Sequence, residues 1–134
     1  MPSPSRPAIR RHRRLTRATH HVPVVVVAQR EPADWVAVHP DAPFTFVTSK
    51  VPEAVEQARA RAGEGHVAVT AGTIAGHCLE LGLPDEVRHD LVPVVRRDGR
   101  PFFGAMTSSD VELDNPTVCI PSERVTHFRF PVRP

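Results

Sequence analysis

The chain has 134 residues, of which 40% are hydrophobic and 24% are charged, and this balance suits one globular domain. No apolar run approaches the roughly 18 residues that a membrane-spanning helix needs. The basic N-terminal stretch is not followed by the apolar segment of a secretory signal. The sequence therefore argues against a membrane protein and against a secreted one.

The net charge of +2 conceals two parts of opposite charge. Residues 1–20 contain six arginines and no acidic residue, whereas the rest of the chain carries 11 basic and 15 acidic side chains, so the two parts contribute +6 and −4. Residues 1–20 have no hydrophobic period and are rich in Pro, Ser and Arg, a composition typical of disorder. We therefore predict a disordered basic tail over residues 1–20 and a folded domain over residues 21–134.

Three interpretations of this tail stay open. It is an arm that contacts nucleic acid, a solvated tail without a partner, or sequence that is not native coding sequence. Clustered arginines neutralise phosphates. However, no aromatic residues are interleaved with them for base stacking, so contact with nucleic acid is the least favoured of the three.

The sequence of the first half of the domain predicts two strands and one helix. The β-branched run 22–28 is typical of a buried parallel strand. Residues 29–35 follow as a loop in which Trp35 has a packing role, and residues 44–48 form a second strand. A helix is predicted over residues 52–62, because proline suits a first helical turn and Gly63 can end the helix. Four residues of this segment share one helical face, namely Val51, Val55, Ala58 and Ala62.

The sequence of the second half of the domain predicts four strands and one helix. Residues 65–70 form a strand that passes through Ala71 and Gly72 into a helix over residues 74–81, with Thr73 as its cap. That helix buries Ile74, Cys78 and Leu81 on one face and stops at Gly82. The remaining strands are predicted over residues 86–95, 111–119 and 125–132.

The predicted order is β-β-α-β-α-β-β-β. Because the later strands lack intervening helices, we expect an α/β domain with a mixed sheet. In the last strand, Thr126, Phe128 and Phe130 alternate with His127 and Arg129, so the two sets should lie on opposite faces.

The segment VAVTAGTI, residues 67–74, carries the clearest functional pattern. A predicted strand ends in small residues and passes directly into a helix. Such a junction lets backbone N–H groups at the helix start approach a phosphate, and the helix dipole favours the negative charge. The pattern is neither GxGxxG nor a Walker loop, and a plain strand-to-helix turn has the same composition.

The segment VAVTAGTIAGHCLELGLPDE, residues 67–86, resembles a family pattern of strand, Gly-Gly, helix and then Gly-Leu-x-Asp-Glu. The continuation is similar as well, with DLVPVV at residues 90–95 and PFFG at residues 101–104. The family is the reductase domain of the riboflavin-biosynthesis bifunctional deaminase–reductase, together with its dihydrofolate-reductase-like relatives. The resemblance covers residues 22–130.

The resemblance implies a dihydrofolate-reductase-like sheet flanked by helices and an NADPH-dependent reductase of a pteridine- or pyrimidine-like substrate. A homodimer is compatible with it, and the two cysteines without CxxC spacing favour a cytoplasmic protein. Residues that the family pattern places at the cofactor pyrophosphate are Ala71, Gly72, Thr73 and Ile74. Gln29 and Arg30 match the loop near the adenosine end, where Arg30 would hold the 2′-phosphate.

The chain departs from the family pattern in three places. Ala71 replaces the first glycine, and its methyl group would crowd the pyrophosphate. The glycine-rich turn after the Pro-Val strand is RRDG here, residues 96–99. The family's first strands and substrate-facing helix have no counterpart, so we expect a truncated or degenerate member. The alternative is a non-enzymatic binding module whose arginine-rich tail contacts nucleic acid or an acidic partner.

Other clusters of reactive residues favour structural roles. The two cysteines, Cys78 and Cys119, lack CxxC spacing and are expected to be reduced core thiols. Cys119 and His127 fall on neighbouring predicted strands, but a buried thiol beside an exposed histidine is favoured over a nucleophile pair. His77 and Glu80 share a helix without the further ligands of a zinc site, so no metal site is predicted.

Overall fold

A computed structural model describes residues 22–108 and 110–134, so the predicted basic tail lies outside the described residues. The chain divides into two compact units, with the boundary between Val67 and Ala68. Helices and strands occur in both units, which confirms the α/β class. The strands belong to two separate sheets, however, rather than to one mixed sheet. Within the described ranges, no helix has the length and apolar composition needed to cross a membrane.

The first unit contains two parallel strands, β1 (Val24–Val27) and β2 (Phe44–Val47). They pair residue for residue, starting with Val24 opposite Phe44. Valine and phenylalanine favour the extended backbone because their side chains pack well on a pleated surface. Both predicted strands and the parallel direction are confirmed, although β1 is only half-buried.

A short helix, α1 (Ala33–Val38), connects these strands. Its first turn forms where the carbonyl of Pro32 accepts the N–H of Trp35 at 3.0 Å. The Trp35 ring stacks on His39 at 4.5 Å and meets Phe44 edge-on at 5.3 Å. The predicted packing role of Trp35 is confirmed. The predicted loop is wrong from Ala33 onward, because packing of this tryptophan stabilises a helix that the short sequence pattern did not indicate.

The helix α2 (Val51–Ala62) follows β2. Pro52 lies in its first turn, and Gly63, with φ 57°, donates its N–H to the carbonyl of Arg59 at 3.0 Å. The predicted helix and its glycine stop are therefore confirmed. Val51 is buried as predicted, and Ala54 is a buried residue of this helix that the predicted face omitted.

The predicted strand over residues 65–70 is wrong. Among the residues that the structure describes, this segment has no strand partner and makes no backbone hydrogen bond beyond Gly65. All six residues are exposed, including Val69 at 40%. A β-branched composition favours the extended backbone but cannot supply the neighbouring strand that a sheet needs.

The second unit begins with the helix α3 (Thr73–Glu80). Cys78 is 1% exposed, and burial raises the pKa of its thiol. Leu81 is 52% exposed, so the predicted burial of that residue is wrong. Gly82, with φ 64°, follows the C-cap residue Leu81 and stops the helix, as predicted. Leu83 donates its N–H to the carbonyl of Cys78 at 3.0 Å, which completes a Schellman-type end.

Three antiparallel strands form the sheet of the second unit. Their order is β3 (Glu86–Leu91), then β5 (Thr126–Pro131), then β4 (Val118–Pro121). The central strand β5 matches the prediction over residues 125–132. It pairs with β3 along six residues and with β4 along four, so it is the strand with neighbours on both sides.

One face of this sheet is aromatic. The His89 ring stacks on Phe128 at 5.2 Å and on Phe130 at 5.5 Å. The predicted alternation of side chains along β5 is confirmed, because His127 is exposed whereas its neighbour Phe128 is half-buried. Cys119 pairs with Phe128 across the strands, but it is exposed because β4 is an edge strand, so the predicted core thiol is wrong.

Two predicted strands are shorter in the structure. The strand over residues 86–95 ends at Leu91, because Pro93 has no N–H for a ladder and the N–H of Val94 donates to the carbonyl of Val92 at 2.8 Å instead. The strand over residues 111–119 begins only at Val118.

Candidate functional site

The candidate site is the first turn of α3, where the backbone conformation requires glycine at one position. Gly72 precedes the helix with φ 119° and ψ −162°, a conformation that residues with a Cβ atom rarely adopt. Ala71 is exposed and has no positive φ, so the backbone does not require glycine there. The predicted cap by Thr73 is wrong, because Thr73 is already helical and no side chain caps the helix.

This uncapped start leaves three backbone donors free. The N–H of Gly72 donates to the carbonyl of Phe102 at 2.7 Å. Within the described part of the chain, the N–H groups of Thr73, Ile74 and Ala75 have no acceptor. Thr73 is exposed and Ile74 is half-buried. Free N–H groups at a helix start carry a partial positive charge and can bind an anion.

A turn over residues 101–104 packs against this helix start. A Cβ atom on Gly104 would lie 2.9 Å from both the N and the Oγ1 of Thr73. A Cβ atom on Gly76 would lie 2.2 Å from the carbonyl oxygen of Phe103. Both glycines therefore permit the turn to approach the first residues of α3 closely.

The other end of α3 is held by a carboxylate. Glu80 accepts hydrogen bonds from the N–H of Ser108 at 2.8 Å, from the N–H of Thr107 and from the Thr107 hydroxyl at 3.2 Å. The hydrogen bonds from Ser108 and then Thr107 lower the pKa of Glu80. The Glu80 carboxylate therefore has a structural role. His77, on the same helix, is exposed.

The six residues predicted to bind cofactor fall into two groups. Ala71, Gly72, Thr73 and Ile74 lie together at the start of α3, in the second unit. Gln29 and Arg30 are exposed in the connection between β1 and α1, in the first unit. The role of Gln29 and Arg30 in cofactor binding stays a prediction.

An arginine-rich turn precedes residues 101–104. Arg96, Arg97 and Arg100 are all exposed, and none of them forms an ion pair with a residue that the structure describes. The sequence prediction treated this stretch only as a turn and as a departure from a glycine-rich pattern. The detectable sign was its composition, with three arginines within five residues.

The predicted pairing of β4 with β5 is confirmed, but it does not create a nucleophile pair. Cys119 lies opposite Phe128, whereas His127 lies opposite Ile120. Directly opposed residues share a face and successive residues alternate, so Cys119 and His127 project to opposite faces. His127 instead contacts Asp90, with Nδ1 at 2.7 Å from Oδ1.

Comparison with known proteins does not identify a family for this chain. No protein-family model matches the chain, and no curated protein is detectably similar to it. In the stretches that the structure describes, no three His, Cys, Asp or Glu side chains lie close enough together to hold a metal ion. The functional assignment therefore depends on the residues of α3 and of the turns beside it.

Proposed function

We propose that this chain binds NADPH, with the pyrophosphate of the cofactor on the first turn of α3. This is the role expected of a relative of the riboflavin-biosynthesis reductase domain and of the dihydrofolate-reductase-like fold. The observation that carries the proposal is the row of free N–H groups at Thr73, Ile74 and Ala75, directly after Gly72.

The residues at this turn fit a diphosphate. A helix start behaves as roughly half a positive charge, and here no side-chain oxygen neutralises it. Gly72 has no side chain to exclude a phosphate. The hydroxyl of Thr73 provides one further donor. Together these groups can donate hydrogen bonds to oxygen atoms of two adjacent phosphates.

The chemistry follows from what the cofactor supplies. NADPH supplies a hydride, and the resemblance implies a pteridine- or pyrimidine-like ring as its acceptor. The part assigned to this chain is to hold the phosphates and so to position the cofactor. Gln29 and Arg30 belong to the first unit, and their role at the adenosine end stays a prediction from the resemblance.

A pair of variants at Thr73 tests the proposal. Thr73→Glu puts a negative charge beside the phosphates, and Thr73→Gln is its neutral control of nearly equal size. An acidic residue in a first helical turn stabilises the helix by about 0.3–1 kcal/mol, so the Glu variant should remain folded. We expect wild type and Thr73→Gln to bind NADPH in isothermal titration calorimetry, and Thr73→Glu to bind it at least about tenfold more weakly.

Two results would contradict the proposal. One is equal NADPH affinity of Thr73→Glu and Thr73→Gln, which would place the cofactor elsewhere. The other is absence of NADPH binding by wild type together with binding of polyanions that disappears when residues 1–20 are deleted. That second result would support the alternative, a binding module that acts through its basic tail, whose residues lie outside the described part of the chain.

A further inference from the structure

The turn over residues 96–100 concentrates positive charge that the described chain does not neutralise. Arg96, Arg97 and Arg100 are exposed and form no ion pair there. Asp98 is the acidic residue of this turn, and its Oδ1 accepts the N–H of Gly99 at 2.8 Å.

Three other arginines of the same unit, Arg88, Arg129 and Arg133, have acidic partners, whereas Arg124 has none among the described residues. Arg88 and Arg129 both contact Glu86, the latter at 3.5 Å. Arg133 contacts Glu112 at 2.6 Å. The turn over residues 96–100 thus contains three arginines within five residues, and its one acidic residue, Asp98, forms no ion pair with them. Exposed like charges repel one another weakly in water, and a bound anion would relieve that repulsion.

This turn leads directly into the residues that hold the start of α3. The carbonyl of Phe102 accepts the N–H of Gly72 at 2.7 Å. Consecutive Cα atoms are 3.8 Å apart, so the Cα of Arg100 lies within about 7.6 Å of the Cα of Phe102. Arg100 and the free N–H groups of Thr73 and Ile74 thus belong to neighbouring segments that both favour negative charge, and Arg96 and Arg97 precede Arg100 by four and three residues.

We propose that Arg96, Arg97 and Arg100 bind the phosphates of the nicotinamide dinucleotide, an inference that rests on the proposed function. Guanidinium groups replace the close backbone approach that a glycine-rich turn would allow, and they bind phosphate oxygens through charge-assisted hydrogen bonds. The Phe102 ring, which is 46% exposed, lies beside the turn and can contact the flat ring of a nucleotide.

The charge distribution favours a small phosphorylated ligand over a nucleic acid. Three cations within five residues match the few negative charges of one dinucleotide. A nucleic acid presents phosphates along a continuous strand, and its binding needs a basic surface of corresponding length. The body of the chain, residues 22–134, carries 11 basic and 15 acidic residues, and this excess of negative charge repels a long polyanion.

The test compares a triple variant with a control that removes arginines elsewhere. The triple variant is Arg96→Gln/Arg97→Gln/Arg100→Gln. The control is Arg61→Gln/Arg124→Gln, two exposed arginines that also lack an ion pair in the described chain. NADPH and NADH are titrated into each full-length protein by calorimetry at low and at high salt, after circular dichroism has shown that the variants are folded.

We expect the triple variant to bind NADPH about tenfold more weakly than wild type, since each exposed contact contributes a few-fold in affinity. The control should bind like wild type, and the triple variant should lose most of the salt dependence. An equal loss for NADPH and NADH assigns the arginines to the pyrophosphate. A loss confined to NADPH assigns them to the 2′-phosphate. Both results support the proposal.

Three results would overturn it. If wild type binds NADPH and the triple variant binds it equally well, the arginines are not involved while the proposed function stands. If wild type binds no NADPH, the proposed function and this inference fail together. If a single-stranded oligonucleotide binds wild type more tightly than NADPH and the triple variant does not bind it, the ligand is nucleic acid.

Discussion

Replacing Gly76 by alanine should destabilise the second unit, although alanine is the better residue for a helix interior. Helix propensity alone favours alanine over glycine by about 1 kcal/mol. At this position, however, the new Cβ atom would lie 2.2 Å from the carbonyl oxygen of Phe103. Contacts between Cβ atoms and other heavy atoms below 3.0 Å essentially do not occur, so the turn would have to retreat by roughly 1 Å.

The turn cannot retreat without loss, because hydrogen bonds hold it on both sides of Phe103. The carbonyl of Phe102 accepts the N–H of Gly72 at 2.7 Å, and the N–H of Gly104 donates to the carbonyl of Pro101 at 3.2 Å. Overpacking costs about 1–3 kcal/mol, and a lost hydrogen bond adds about 0.5–1.5 kcal/mol. After the gain in propensity is subtracted, the variant should be about 0.5–3.5 kcal/mol less stable than wild type.

Urea denaturation measures this difference. Far-UV circular dichroism is the suitable probe, because the single tryptophan, Trp35, lies in the first unit. Gly99→Ala is the matched control, since a Cβ atom there meets nothing within 4 Å and the residue has no positive φ. Its stability should stay within about 0.5 kcal/mol of wild type. A Gly76→Ala protein that is as stable as wild type, or more stable, would refute the close approach of the turn to α3.

Two further predictions concern side chains of the second unit. Iodoacetamide should alkylate Cys119 in the native protein and Cys78 only in urea, because Cys78 is buried and burial raises its thiol pKa; equal native rates by mass spectrometry would contradict this. Hydrogen bonds lower the pKa of Glu80 below its ordinary value of 4.5, so its stabilising effect is present above pH 4.5 and is lost as pH falls through the lowered pKa. Glu80→Gln should therefore be less stable than wild type near neutral pH, and urea titrations should show this difference shrinking in acid; a difference independent of pH would argue against the carboxylate's role.

The elements that could be predicted from sequence are those whose determinants are local. The helix α2 carries its start and stop in Pro52 and Gly63, and both are used as predicted. The strand β5 carries its alternation in Phe128 and Phe130, which lie on one face because side chains alternate along any strand. In each case the residues that define the element are neighbours in the chain.

The predictions that failed needed information from distant residues. Residues 65–70 have the composition of a strand, but no described strand lies beside them. Cys119 is apolar enough for a core, yet β4 is an edge strand, and the order of strands is not encoded within β4. The helix α1 depends on contacts of Trp35 with His39 and Phe44, of which the second lies outside the helix.

In the candidate site, too, local features could be predicted from the sequence and contacts between distant residues could not. Ala71, Gly72, Thr73 and Ile74 could be identified from sequence, because a small-residue pair before a helix is a local pattern. The contribution of the turn that includes Gly104 could not be identified, because this residue meets Thr73 across 31 positions of the chain. Neither could the absence of a cap, since Thr73 is a good capping residue that lies one position too far along to act as one.

The helix start does not need a strand before it to be well placed. In a strand-to-helix junction the strand normally fixes the first turn, but residues 65–70 have no partner among the described residues. Gly72 is fixed instead by the carbonyl of Phe102, and Thr73 is contacted closely by Gly104. The free N–H groups are therefore positioned by the same turn that follows the three arginines. An anion bound at this place would neutralise those arginines and the helix start together, and because it binds only the folded unit, it would stabilise that unit by an amount that grows with the logarithm of its concentration relative to Kd.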